Sequence, residues 1–197
     1  MDNLNEKYRE IVNQGKILFW KHGIKKVTVE EICEKAGTSR VTFYKYFQNK
    51  EQLAYSILKS IIDGSFREYR DIMESDENFQ VKVRQTIKFK MKYSSQMSHE
   101  LLNDIMGGDF PDILKLITDA REKSFRMVQD DYSKAQKDGN IRKDVKIEFV
   151  LYFLNKMQEM ISDPELEKVY PDTGELISEL IRFFFYGLLP RNSENTH

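Results

Sequence analysis

The sequence holds a single cysteine, Cys33, so no internal disulfide can form and a reducing, intracellular setting is expected. Only four prolines and nine glycines interrupt its 197 residues, which favours helices. The longest apolar run, Phe183–Leu189, is far too short to span a bilayer. The opening stretch MDNLNEKYRE lacks the basic-then-apolar pattern of a signal peptide. A cytoplasmic chain with no membrane partner is expected. Histidine is scarce too: His22, His99 and His197 are dispersed, with no H-x-x-x-H or Cys/His cluster at metal-ligand spacing. There is no glycine-rich phosphate loop and no G-x-S-x-G. The adjacent acids Glu30–Glu31 and Asp130–Asp131 diverge by about 100° on a helix, which suits a solvated face better than paired catalysis. No catalytic residue, metal or cofactor is expected.

What is present suits a globular protein with a substantial core: 40% of residues are hydrophobic and 32% charged. The net charge of −1 argues against a general nucleic-acid binder, but it is unevenly spread. Residues 1–52 carry ten Lys/Arg against seven Asp/Glu, a balance of +3 that leaves −4 for the rest. A modestly positive end permits local phosphate contact, although ordinary fluctuation explains the imbalance equally well.

Leu4, Tyr8, Ile11, Val12, Gly15, Leu18 and Phe19 recur at three- and four-residue intervals and predict an amphipathic helix over 4–22, with Gly23 as its left-handed cap. Thr28 and Glu31 form a capping-box pattern at the head of a short second helix that Gly37 ends. Ser39 caps a third helix beginning at Arg40, and this helix–turn–helix spacing is that of the DNA-binding motif. Asn49 with Gln52 opens a long fourth helix to about Met73, striped by Leu53, Ile57, Leu58, Ile61 and Ile62. From Asn78 onward the chain is helical but more polar, with a break at GGDFP (107–111), where Pro111 suits the first turn of a new helix ending near Gly139. No strand and no repeat is expected, and the fold class is all-α.

The last third differs. IEFVLYFLNKM (147–157) and LISELIRFFFYGLL (176–189) are apolar around most of the helix circumference and must be covered on most sides. In a chain this small both cannot easily be central, although a plain domain centre is the alternative. One face then packs on the chain's own core and the other on a second copy, giving a four-helix interface about a two-fold axis. The homodimer is the expectation adopted, with Phe149, Phe153, Leu180, Phe184 and Leu188 at the interface.

The segment RVTFYKYF (40–47) sets the functional question. On a wheel of about 100° per residue, Phe43 and Phe47 fall within about 40° of each other and define a buried face. Opposite lie Val41, Thr42 and Lys45, flanked by Tyr44 and Tyr46. A small apolar group, a hydroxyl and a cation suit the edges of bases in a major groove, and flanking phenols suit phosphates on its walls. Arg40 lies off the outward face, but its long arm can reach a guanine or a phosphate. A helix docked on the rest of the protein would leave Lys45 and the hydroxyls without a purpose.

At this point the stretch ILFWKHGIKKVTVEEICEKAGTSRVTFYKYFQNKEQL (17–53) closely resembles the N-terminal DNA-binding domain of the TetR family of bacterial transcriptional regulators. Phe19, Gly23, Thr28, the VEEI step, Ala36–Gly37, Phe43–Tyr44, Tyr46–Phe47, Lys50 and Leu53 carry the likeness. Cys33 and Gly15 stand where alanine is common in that family, and both are expected to be buried. The resemblance implies a helix-turn-helix DNA-binding domain at 1–50 and a helical effector-binding and dimerisation domain at 51–197. It implies that Thr28, Ser39, Tyr44, Tyr46 and Lys50 hold phosphates of operator DNA, while Arg40, Val41, Thr42 and Lys45 face bases. It also implies a homodimer, most simply a repressor, released when a small effector alters the spacing of its two heads. The methionines of the C-terminal part suit either a pocket or ordinary core filling. Tyr93, Met97, Met106 and Phe110, around Gly107–Gly108, are the candidate pocket lining, and an apolar or amphipathic effector is expected. The alternatives are an activator or ligand-blind regulator of the same fold, or an apolar-ligand carrier with no DNA role.

Overall fold

The computed structural model describes residues 2–94, 98–160, 163–170 and 172–188, and their side chains apart from 2–5, 90–94, 158, 167, 173 and 185–188. Every regular element among the described residues is a helix. These are α1 (Asp2–His22), α2 (Val29–Lys35), α3 (Arg40–Tyr44), α4 (Lys50–Glu74), α5 (Phe79–Ser94), α6 (His99–Met106), α7 (Pro111–Lys137), α8 (Ile147–Met160), α9 (Pro164–Val169) and α10 (Thr173–Leu188).

The helix starts follow from short polar side chains that accept the first orphan N–H groups. Thr28 accepts from Glu31 N–H, and Glu31 Oε2 accepts from Thr28 N–H at 2.7 Å, so the predicted capping box is complete. Ser39 accepts from Thr42 N–H at 3.1 Å and opens α3 at Arg40. Asn49 accepts from Gln52 N–H at 2.8 Å and opens α4. Pro111 sits in the first turn of α7, where its missing N–H costs nothing. Two starts were not foreseen. Ser98 accepts from Leu101 N–H and makes α6 a helix separate from α5, and Asp163 accepts from Glu165 N–H with Pro164 at the head of α9.

The chain packs as two compact units. The first comprises Met1–Glu68 and Lys92–Arg121, the second Tyr69–Met91 and Glu122–His197. Ile11, Phe19, Ile32, Phe43 and Leu53 form the core of the first, joined from far along the sequence by Leu101 and Ile105 of α6 and Ile113 of α7. Gly15 lies against α4, where a Cβ would stand 2.7 Å from Leu53 Cδ2, so α1 and α4 approach closely there. Cys33 is buried as expected, and burial pushes its thiol pKa up, away from reactivity. In the second unit Val83, Val128, Val150, Leu151 and Ile181 share a core with Tyr69 and Tyr132. Tyr69 donates to Asp131 at 2.8 Å, and burial raises its pKa far beyond the usual phenol range, so it stays a neutral donor.

Gly23 ends α1 at φ 79°, in the left-handed region, as its position after the last periodic residue predicts. A Cβ there would also lie 2.5 Å from Asp104 Oδ2, whereas Gly37, at φ 55°, has open space on that side. Gly37→Ala is therefore expected to cost about 1 kcal/mol of unfolding free energy from backbone strain alone, and Gly23→Ala roughly twice that or more. Urea unfolding of the two variants measures the difference, and equal costs would show that Asp104 does not crowd the site.

Candidate nucleic-acid interface

α3 is only five residues long, and its bearing on the protein comes from two rings. Phe43 is fully buried and Phe47 nearly so, with ring centroids 5.7 Å apart. The helical path continues past Tyr44, since Tyr46 N–H and Phe47 N–H both donate to the Phe43 carbonyl, which keeps the two rings on one side. Tyr8 of α1 stacks on Phe47 at 5.6 Å and meets Tyr46 edge-on at 5.4 Å. Lys7 Nζ donates to the Gly37 carbonyl at 3.0 Å, so the first turns of α1 brace both the turn before α3 and the rings behind it.

With that face anchored, the opposite face is open. Val41 is 71% exposed, Lys45 is exposed, and Tyr44 is 51% exposed with its ring edge on Phe43. Thr42 is half-buried and its hydroxyl lies 3.0 Å from that of Ser39. Tyr46 is half-buried against Tyr8. Arg40 points to the side and pairs with Glu30 of α2 at 2.6 Å, a partner the sequence does not reveal because the two meet only once α2 and α3 are crossed. Thr28 is exposed and its hydroxyl also donates to Glu31 at 2.9 Å. The Thr28 N–H first, and then its hydroxyl, hold the Glu31 carboxyl below the usual range. Lys50 is half-buried and gives two of its protons to the carbonyls of Lys25 and Val27, at 2.7 and 2.8 Å. Thus Arg40, Val41, Thr42, Tyr44 and Lys45 are gathered on α3 and its cap, while Thr28, Ser39 and Lys50 border it at three helix starts.

The other two groups of candidates lie elsewhere. Phe110 is half-buried against the first core and Met106 is exposed on α6; Met97 and the side chain of Tyr93 lie outside the described residues. A shallow depression of about 710 Å³ runs along α1 by Lys16, Ile17 and Trp20. On α8 and α10, Leu180 and Phe184 are buried in the second core, Phe153 packs against it and Phe149 is exposed; the side chain of Leu188 lies outside the described residues. Tyr152 and Phe183 are large exposed rings that were not among the residues expected at an interface. Among the described residues there is no cluster of metal-ligating side chains, and no helix is long and apolar enough to cross a membrane.

Two short capped helices, the second offering a small, cationic and phenolic face, form a helix-turn-helix. Comparison with known proteins makes the class specific. Residues 11–57 match the model of the bacterial regulatory proteins of the tetR family. The HTH-type transcriptional repressor KstR2 of Rhodococcus jostii (strain RHA1) is 25% identical over 152 residues, 74% of this chain and 72% of that protein. Among solved structures, the regulator FadR from Bacillus subtilis in complex with stearoyl-CoA superposes with a TM-score of 0.70 at 14% identity, covering 91% of this chain and 98% of that one. Salmonella enterica GusR gives 0.69 at 19% identity, covering 95% and 97%. Residues 11–57 thus carry the N-terminal domain of the tetR-family regulators, and the all-helical fold of the described residues is that of the solved structures above.

Replacing Lys45 by alanine is expected to weaken specific DNA binding about tenfold and to lower the slope of log affinity against log salt by about one if the ammonium meets a phosphate, but to leave the slope unchanged if it meets a base edge. Titrations by fluorescence anisotropy at several salt concentrations distinguish the two. Wild-type affinity in the variant would remove Lys45 from the interface.

Proposed function

We propose that this protein is a ligand-responsive repressor that binds operator DNA as a homodimer in the cytoplasm. Residues 1–50 serve as the reading part and 51–197 as the effector-binding and dimerising part. The observation that carries the reading is the division of the third helix, with Phe43 and Phe47 locked inward and Val41, Tyr44 and Lys45 turned out. Val41 supplies an apolar contact for a thymine methyl, and Thr42, Lys45 and Arg40 supply hydrogen bonds to base edges. Thr28, Ser39, Tyr44, Tyr46 and Lys50 line the flanks for phosphates; Lys50 keeps one N–H beyond the two that it gives to carbonyls. Arg40 must exchange Glu30 for DNA to take part, a modest cost because the pair is exposed to water.

Dimerisation is supported by Phe149, Tyr152 and Phe183, which α8 and α10 leave 60–73% exposed although both helices already bury an apolar face in their own unit. A second copy that covers them would set two reading heads about 34 Å apart or a multiple of it, one turn of DNA. An effector that favours another spacing then weakens operator binding by its differential affinity, typically about 1–3 kcal/mol. The region around Met106 and Phe110, with Tyr93 and Met97, remains the candidate pocket. An apolar or amphipathic effector suits its side chains, and FadR, which carries stearoyl-CoA, is an example of the same fold holding such a molecule.

Gel-shift titration against the DNA upstream of its own gene tests the reading: specific retardation that a co-purified or added acyl amphiphile relieves is expected, and no specific retardation at low salt would sink it. Sedimentation at micromolar concentration tests the dimer. A wild-type dimer and a folded Phe149→Asp, Phe183→Asp monomer are expected, whereas a monomeric wild type would remove the two-headed mechanism.

A further inference from the structure

The turn that passes α1 on to α2, residues 23–27, is held by side chains from two other helices. Lys25 N–H donates to Asp104 Oδ2 at 2.9 Å, and the carbonyls of Lys25 and Val27 accept from Lys50 Nζ. Asp104 lies on α6 and is 8% exposed, one of two buried polar side chains among the described residues. A carboxylate so placed is costly to desolvate without hydrogen-bond donors, and the turn supplies one. The fit is close enough that only a residue without a side chain stands beneath it, since a Cβ on Gly23 would approach Asp104 Oδ2 to 2.5 Å. The Lys25 ammonium reaches to Asp109, just beyond α6, which raises its pKa. At the opposite end of α6, Ser98 N–H donates to the Trp20 carbonyl at 3.2 Å. Both ends of α6 therefore grip the segment from which α2 and α3 hang.

We propose that Asp104 is a positioning residue for DNA recognition: it touches no DNA, but by accepting the Lys25 N–H it fixes the angle at which the helix-turn-helix leaves α1. This role rests on the DNA-binding reading above.

The test compares full-length wild type, Asp104→Ala and Asp104→Asn in operator titrations across salt, together with the emission of Trp20, the chain's one tryptophan. Alanine leaves the Lys25 N–H without its acceptor, and a loss of operator affinity of about tenfold is expected. The salt slope should stay at the wild-type value because no phosphate contact is removed. Trp20 emission should shift, and asparagine, which keeps an acceptor oxygen, should recover most of the affinity. Undiminished binding by Asp104→Ala would overturn the proposal, as would a loss that asparagine does not recover or a reduced salt slope. Should the alanine variant fail to fold, the asparagine variant and amide exchange in the wild type decide. The Lys25 amide should exchange slowly although it lies outside any helix, and exchange at the solvent rate would count against the clamp. Failure of the DNA reading is distinct, since it appears before any substitution as the absence of specific binding by the wild-type protein.

Discussion

The burial of Phe43 and Phe47 is the constraint on which the proposed DNA-reading surface depends. A helix of five residues has almost no stability of its own, because nucleation costs more than its few hydrogen bonds return. It exists because Ser39 caps it and two benzyl groups enter the core of the first unit. Those groups also settle its rotation. With the rings inward, the period of the helix leaves Val41, Tyr44 and Lys45 no choice but to face out. Stability and the proposed recognition are thus set by the same four or five residues, and removing Phe43 would cost the surface its orientation as well as about 3–5 kcal/mol of packing.

The features legible in the sequence are those decided within a few residues. Thr28–Glu31, Ser39–Thr42 and Asn49–Gln52 cap their helices through bonds that span three positions, and the Phe43–Phe47 pair follows from the helical period alone. What escaped is decided by distant packing or by caps with weaker surroundings. Ser98 stands in a polar stretch with little apolar period, so the division between α5 and α6 left no trace, and α9 is one short turn-and-a-half behind Asp163. Arg40 meets Glu30, and Lys50 meets the carbonyls of Lys25 and Val27, across 10 to 25 residues of chain that no local pattern encodes. The same limit applies to α8 and α10, where hydrophobicity on every side foretold burial but not which residues face inward. Leu180 and Phe184 point to the chain's own core, while Tyr152 and Phe183 point out.

The two units also differ in what their polar interior does. In the first, the buried carboxylate of Asp104 serves a backbone N–H just before the helix-turn-helix. In the second, Tyr69 donates a hydrogen bond to Asp131, and Tyr132 is buried with a pKa pushed up beyond the normal phenol range. Such neutral phenols fasten helices without adding charge to the interior. They say little about which molecule the proposed effector-binding part would receive. Effector chemistry resides in pocket shape, and the helical period that governs the rest of the chain constrains shape only weakly.

The brace formed by Lys7 and Tyr8 separates the recognisable motif from the mechanical one. The family likeness begins at residue 11, yet the stacking on Phe47 and the tether to the Gly37 carbonyl come from the two turns before it. A fragment cut at the motif's edge would keep every signature residue and lose the buttress behind its reading helix. For this chain, the smallest piece that looks like the DNA-binding domain is not the smallest piece able to hold one rigid.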